Sequence, residues 1–179
     1  MILIIKTNKE RLHDLEFVKP IEEILKQNKI KFLTKNYKKI TNKDLKQVDK
    51  IIISGTSLKD NEFLRNKNNF KWIKDSKKPV LGICAGMQII SNIFKAKIKS
   101  KTEIGFFKEK FKRNFLGLNN DREVYHLHNN YFDVPKEFKS FTNSLIPQAI
   151  KHKTREIYGT LFHPEVRNSE LILNFVLNQ

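Results

Sequence analysis

Residues Val80-Leu-Gly-Ile-Cys-Ala-Gly-Met-Gln88 run from an apolar, strand-like segment into a helical one, and the single cysteine of the chain lies at the junction. A strand that turns sharply into a helix needs small neighbours, and Gly82 and Gly86 supply them. The side chain of Cys84 then points outward at the helix N-terminus, where unpaired N–H groups and the helix dipole favour the thiolate. Because the thiolate is the form that attacks a carbonyl carbon, this segment predicts a nucleophile.

The segments on either side alternate between strand and helix patterns. Apolar runs predict strands at 1–6, 30–34, 50–54 and 79–83. Helical periodicity predicts helices at 20–29, 61–75 and 85–94. This alternation predicts the α/β class, with a mainly parallel central sheet flanked by helices and catalytic residues at the carboxyl ends of strands.

The pattern changes after Lys95. Short strands are predicted at 106–111, 123–128 and 148–152, followed by a final strand and a helix at 168–178. We therefore expect a small antiparallel excursion before the chain returns to the central sheet. No linker, repeat or low-complexity tract divides the sequence, so a single domain over 1–179 is expected.

A second segment, Tyr158-Gly-Thr-Leu-Phe-His-Pro-Glu-Val166, ends an apolar run with a histidine and a glutamate two positions apart. A cysteine nucleophile needs a histidine to transfer protons and a third group to fix the imidazole tautomer. Separately, Cys84 suits a buried apolar position, His163 a structural role at a strand end, and Glu165 an exposed charge. Together the two segments favour a catalytic group of Cys84, His163 and Glu165.

In this order, the two segments resemble the class I glutamine amidotransferases. The Gly-x-Cys-x-Gly-x-Gln elbow of that family matches Gly82 to Gln88, and its Phe-His-Pro-Glu segment matches Phe162 to Glu165. The likeness covers most of the chain and implies a flavodoxin-like fold. It also implies that the Cys-His-Glu triad hydrolyses the side-chain amide of glutamine to glutamate and ammonia through a thioester.

Within the family, the chain is most similar to the separate glutaminase subunit of archaeal-type GMP synthases. Gln148 to Lys153 and Ile157 to Gly159 resemble the strand pair before the catalytic histidine, and Glu103-Ile-Gly105 resembles a Glu-x-Gly turn. This resemblance implies that ammonia passes to a separate ATP-pyrophosphatase synthetase, for amination of XMP to GMP. ATP and Mg²⁺ are then expected on that partner, and no cofactor is expected in this chain.

Four further residues are candidates for contacts with the substrate. The family's Gly-Gly-Pro oxyanion loop is replaced here by Ser54-Gly-Thr-Ser57, and we expect Gly55 and Ala85 to offer backbone N–H groups to the oxyanion. Gln88 lies four positions after the cysteine, on the same helix face. Asn129 lies in the segment that takes the place of the family's Ser-His-Gly-Asp, where Asn-Asn replaces Gly-Asp.

His126 and His128 alternate along a predicted strand and suggest a metal pair. Two histidines supply only two ligands, whereas a tetrahedral zinc site usually takes three or four from the protein. The only cysteine is already assigned to catalysis. We therefore predict no metal site.

The composition indicates where the protein works and suggests a competing hypothesis. No window approaches the roughly 20 apolar residues that cross a bilayer, and one cysteine suits a reducing compartment, so a cytoplasmic protein without a membrane partner is expected. The formal net charge is +16, from 35 basic and 19 acidic residues, and such a field attracts polyanions. A degenerate, polyanion-binding protein is therefore one alternative, although no nucleic-acid-binding motif is present.

A free-standing hydrolase of γ-glutamyl compounds is the other alternative, because the same fold and triad serve that chemistry. Such an enzyme needs a pocket that admits a large leaving group. An amidotransferase needs a narrow pocket and an exit for ammonia. The absence of an attached synthetase domain favours a subunit that docks onto a separate enzyme, and a basic docking face would suit an acidic partner.

Overall fold

The computed structural model describes residues 1–178, in which the alternating pattern of the sequence becomes a layered α/β structure. The strands are β1 (Ile2–Lys6), β2 (Phe32–Asn36), β3 (Lys50–Ile53), β4 (Val80–Ile83), β5 (Ile98–Phe115), β6 (Leu118–Phe132), β7 (Phe138–Ser140), β8 (Ala149–His152) and β9 (Ile157–Thr160).

The central sheet has seven strands in the order β2-β1-β3-β4-β9-β8-β7. The first five of these run parallel to one another, and β8 and β7 are added antiparallel at one edge. This arrangement confirms the predicted mainly parallel sheet. It also places the carboxyl ends of β3, β4 and β9 side by side, where catalytic residues were expected.

Helices cover the sheet on both faces. They are α1 (Asp14–Phe17), α2 (Lys19–Gln27), α3 (Asn42–Gln47), α4 (Glu62–Arg65), α5 (Ala85–Ile93), α6 (Pro164–Arg167) and α7 (Ser169–Leu177), with 3₁₀ turns at Arg11–His13, Tyr37–Lys39 and Lys67–Lys74. No helix among residues 1–178 is long and apolar enough to cross a membrane.

The parallel strands are apolar at successive positions because both faces of the sheet are buried. Alternate side chains of one strand therefore enter two different cores. One core contains Ile2, Ile4, Ile52 and Leu81 together with residues of α2 and α7. The other contains Leu3, Ile5, Ile51, Ile53 and Val80 together with residues of α5.

The predicted short strands at 106–111 and 123–128 are central parts of one long hairpin, formed by the 18 residues of β5 and the 15 of β6. Its turn has positive φ at both Leu116 and Gly117, as a tight two-residue hairpin requires. The sequence underestimated both strands because polar residues, many of them lysines in β5, interrupt the apolar alternation toward the strand ends.

The predicted helix at 61–75 is the second place where the structure differs from the prediction. A short α4 is followed by an eight-residue 3₁₀ segment, Lys67–Lys74. The Asn66 side chain donates to the Glu62 carbonyl, 3.1 Å away, which satisfies a helix-terminal carbonyl locally. Phe70 and Ile73 are buried three positions apart, the spacing that lies on one face of a 3₁₀ helix.

Candidate active site

Cys84 lies between β4 and α5 in a strained backbone conformation, with φ 47° and ψ −100°. Positive φ is uncommon for a residue with a Cβ and persists only where the surrounding structure holds it. Here the Cys84 N–H donates to the Thr160 carbonyl at 2.7 Å, and the Gln88 N–H donates to the Cys84 carbonyl at 3.0 Å. The neighbouring strand and the first helical turn therefore fix the cysteine in the geometry of a nucleophile elbow.

The two glycines of the elbow are required by close backbone packing. A Cβ on Gly82 would lie 2.4 Å from the Gly86 carbonyl carbon, and a Cβ on Gly86 would lie 2.4 Å from the Ile53 carbonyl oxygen. No side chain fits at either position without moving backbone. The start of α5 therefore lies directly against β3 and β4, which is the close approach that the spacing of the glycines predicted.

Cys84 and His163 meet at Gly55. A Cβ on Gly55 would lie 2.6 Å from His163 Cε1 and 3.4 Å from the Cys84 Cβ. The three residues follow β3, β4 and β9, so the parallel sheet brings them together from distant parts of the sequence. The backbone N–H of His163 also donates to the Tyr125 carbonyl at 2.8 Å, which connects the histidine segment to β6.

His163 and Glu165 form a buried pair, with 2.7 Å between His163 Nδ1 and Glu165 Oε1. Burial lowers the pKa of His163, but the negative charge of Glu165 and the interactions with Cys84 outweigh burial and raise this pKa well above 6.5. The Nδ1–H therefore donates to the carboxylate, and the imidazole is held in one orientation. The other ring nitrogen, Nε2, is buried with no hydrogen-bond partner among residues 1–178, so it is available for proton transfer.

The two predicted oxyanion donors are Gly55, which lies beside Cys84, and Ala85, which follows it in the chain. Ala85 is the first residue of α5, so its N–H has no partner within the helix. The Gly55 carbonyl accepts hydrogen bonds from the hydroxyls of Thr7 and Ser54, each at 3.0 Å. The Thr7 hydroxyl also donates to the Ser54 carbonyl at 3.1 Å, so hydroxyl side chains hold both peptide groups that flank Gly55.

Gln88 and Asn129 line the same cleft as Cys84. The Gln88 side chain donates to the Asn130 carbonyl at 3.0 Å, and the Asn129 side chain donates to the Leu58 carbonyl at 3.2 Å. The second bond spans the cleft between β6 and the loop after β3. The cleft has a cavity volume of about 20 Å³, room for one or two water molecules.

Sequence reasoning missed two backbone contacts in this cleft. The Cys84 thiol donates to the Leu127 carbonyl, with 3.5 Å between Sγ and oxygen, and the Leu58 carbonyl accepts from Asn129. Carbonyl groups carry no side-chain signal, so no residue pattern could have revealed either. Four of the seven predicted site residues line this cleft: Cys84, Ala85, Gln88 and Asn129. The other three are linked to it through Cys84, because Gly55 lies beside Cys84 and His163, and Glu165 pairs with His163; the catalytic and binding roles of all seven are still predictions.

The fold and the site together define an α/β protein with a strained cysteine and a buried histidine–glutamate pair at the carboxyl edge of its parallel sheet. The family model described as glutamine amidotransferase class-I matches residues 12–178. The chain therefore belongs to the class I glutamine amidotransferase family.

Similar proteins include one named as a single subunit of the glutamine-hydrolysing GMP synthase of Thermoplasma acidophilum. It is 32% identical over 140 residues, 73% of this chain and 70% of the relative. The "GMP synthase [glutamine-hydrolyzing]" of Spiroplasma kunkelii is 34% identical over 142 residues, which is 72% of this chain. The chain spans only 27% of the length of that relative.

Solved structures show the same fold. A crystal structure described as that of a GMP synthase subunit from Thermoplasma acidophilum gives a TM-score of 0.83 at 25% identity, covering 98% of this chain and 92% of that one. A glutamine amidotransferase from Thermotoga maritima gives a TM-score of 0.71 at 20% identity, covering 98% and 80%.

Proposed function

We propose that this chain is the glutaminase subunit of a two-subunit GMP synthase. It hydrolyses glutamine to glutamate and ammonia and delivers the ammonia to a separate ATP-dependent synthetase that aminates XMP. The single observation that carries this proposal is the meeting of Cys84, His163 and Glu165 at the elbow of a class I amidotransferase fold. The 70% coverage of a relative that is named as one subunit of GMP synthase supports the two-subunit arrangement.

The reaction begins at the sulfur. The Cys84 thiolate attacks the side-chain carbonyl carbon of glutamine, so that a C–S bond forms and negative charge develops on the oxygen. The N–H groups of Gly55 and Ala85 stabilise that charge. These donors are part of the folded backbone, so they need little reorganisation during the reaction.

His163 then moves the protons. Its raised pKa favours the imidazolium, whose positive charge stabilises the neighbouring thiolate. It protonates the leaving amine as the C–N bond breaks, which releases ammonia and leaves a thioester. The neutral imidazole next takes a proton from water, which attacks the thioester, breaks the C–S bond and gives glutamate. Glu165 fixes the Nδ1–H tautomer throughout.

The chemistry of the chain requires no cofactor of its own. ATP and Mg²⁺ would act on the partner synthetase, where the carbonyl of XMP must be activated before ammonia attacks it. A protein that depends on one free thiol suits the reducing cytoplasm, where we place it. The +16 net charge suits an acidic docking face on the partner.

The similarity to a relative named as one subunit of GMP synthase, of which the chain covers 70%, weighs against the γ-glutamyl hydrolase alternative. The intact histidine–glutamate pair weighs against a degenerate polyanion-binding protein, because a raised histidine pKa has no use in such a role.

The test is ammonia release from glutamine by the purified chain and by its Cys84→Ala variant. Each is assayed alone and with a candidate ATP-pyrophosphatase synthetase, ATP, Mg²⁺ and XMP. We expect release that requires Cys84 and rises when the loaded partner is present. Cys84-dependent release that does not change with the partner would support the glutaminase activity and contradict the assignment to GMP synthase. No release under any condition would contradict both.

A further inference from the structure

A second cluster of ionisable side chains lies between the hairpin and the sheet, outside the catalytic group. Glu103 of β5 faces His126 and His128 of β6. One oxygen of Glu103, Oε2, lies 3.0 Å from His126 Nδ1 and 3.1 Å from His128 Nε2. One ligand atom from each of the three residues can be chosen so that all lie within 4.8 Å of one another.

The hydrogen bonds of this cluster are incomplete. Both imidazoles are only 1% exposed, yet neither ring nitrogen of His128 has a hydrogen-bond partner among residues 1–178, in spite of the nearby carboxylate. Glu103 Oε2 already accepts hydrogen bonds from the Gln148 amide and from His126, each at 3.0 Å. A fully buried imidazole without partners costs free energy, so this arrangement indicates that a ligand is missing from the cluster.

We propose that Glu103, His126 and His128 bind one divalent transition-metal ion, with Zn²⁺ as the first candidate. The ligand atoms are His126 Nδ1, His128 Nε2 and a carboxylate oxygen of Glu103. Ligands about 2.0 Å from a tetrahedral ion lie about 3.3 Å apart, which is close to the two separations in the structure. Two histidines and one glutamate leave a fourth position for water, a common zinc ligand set.

The surroundings of the cluster suit a metal site. Metal-bound histidines usually donate their second N–H to a carboxylate, and His126 Nε2 lies 3.7 Å from Glu109 Oε1. Gln148 in turn orients Glu103.

The sequence pattern offers only two of the proposed ligands, because the third comes from another strand. A register shift between Ser100 and Glu103 sets Glu103 opposite His128. His126 and His128 also flank Leu127, whose carbonyl accepts the hydrogen bond of the Cys84 thiol. An ion at this site would join β5 to β6 next to the nucleophile. It would hold that strand in place without entering the reaction.

The test uses full-length protein that has been freed of metal with a chelator and titrated with Co²⁺, followed by Zn²⁺ competition. We expect one equivalent of Co²⁺ to bind with the visible absorption of a tetrahedral site, without a sulfur-to-cobalt band, and to be displaced by Zn²⁺. The Cys84→Ala variant should bind identically, and bound Zn²⁺ should raise the melting temperature of both proteins.

Variants locate the ion. We expect His128→Gln and Glu103→Gln to lose stoichiometric binding, and Glu109→Gln to weaken it by about 10- to 100-fold. His13→Gln, a change at a histidine outside the cluster, is the matched control and should bind normally. Absence of stoichiometric binding by the unaltered protein would overturn the proposal. So would binding that disappears in Cys84→Ala, since the ion would then lie on the thiol.

Discussion

The Glu165 carboxylate lies 2.7 Å from His163 Nδ1, and both side chains are buried next to the strained cysteine. The pair is formed by two residues separated only by Pro164, at the point where the chain leaves β9 and enters α6. The proline fixes the first helical turn, so that the histidine stays in extended backbone while the glutamate two positions later turns back to it.

Replacing the carboxylate should show how much this pair contributes. In Glu165→Gln, the amide keeps the shape of the side chain but no longer stabilises the imidazolium or selects the Nδ1–H tautomer. We expect kcat for glutamine hydrolysis to fall by about 10²- to 10⁴-fold with little change in KM. Steady-state ammonia release in the presence of the partner measures this. A loss below about threefold would mean that Glu165 does not position His163.

The contact at Gly55 gives a second prediction. In Gly55→Ala, the new Cβ would lie 2.6 Å from His163 Cε1, so the imidazole or the loop must move. We expect at least a tenfold loss of kcat/KM, because small displacements of catalytic groups are costly. Thermal unfolding checks that the variant is folded.

Gly105→Ala is the matched control for that change. Gly105 has a φ of +118°, but nothing lies within 4 Å of a Cβ there. The substitution should lower stability through backbone strain by about 1 kcal/mol and leave glutaminase activity nearly unchanged. Equal losses of activity in the two variants would contradict the idea that Gly55 acts through its contact with His163.

The pH dependence of stability follows from the raised pKa of His163. The unfolded chain has a histidine pKa near 6.5, and the folded chain binds the proton more tightly. The stabilisation is therefore fully present below about pH 6.5 and is lost as the pH rises through the higher folded pKa. Urea unfolding should show that His163→Gln costs more stability at pH 6 than at pH 10. A cost that grows with pH would contradict the assigned direction.

The elbow could be predicted from sequence because its glycine spacing is a direct consequence of backbone contact. Gly82 and Gly86 lie where a sharp strand-to-helix turn requires glycine. A Cβ on either residue would lie 2.4 Å from a backbone atom, which leaves no room for a side chain. The parallel sheet was equally visible, because strands buried on both faces are continuously apolar. These features are local in the sequence or repeat along it.

The remaining features depend on how the strands pair. The register shift that places Glu103 beside His128 leaves no pattern in the residues, so the sequence shows only two alternating histidines. The bonds to the Leu58 and Leu127 carbonyls likewise depend on where the hairpin lies over the cleft. Such contacts are set by tertiary structure and have no counterpart in composition or periodicity.

The bond from the Asn129 side chain to the Leu58 carbonyl gives the last prediction. It spans a cleft too small for glutamine, so the structure is a closed state that must open before substrate binds. Removing one such hydrogen bond changes the free energy between states by about 1 kcal/mol, roughly a fivefold change in the open population. We therefore expect Asn129→Ala to raise kcat/KM for glutamine about fivefold in the isolated chain.

Thr102→Val is the control for this effect. Thr102 donates to the same Asn129 side chain at 3.0 Å, but it lies on β5 and not across the cleft. Its loss should leave kcat/KM within about twofold of the unaltered chain, since the bond from Asn129 to Leu58 is retained. If Asn129→Ala instead raises KM and lowers kcat/KM, Asn129 binds glutamine directly, as the family resemblance implies. The two outcomes differ in sign, so one set of initial rates at low glutamine concentration separates a closing contact from a substrate contact.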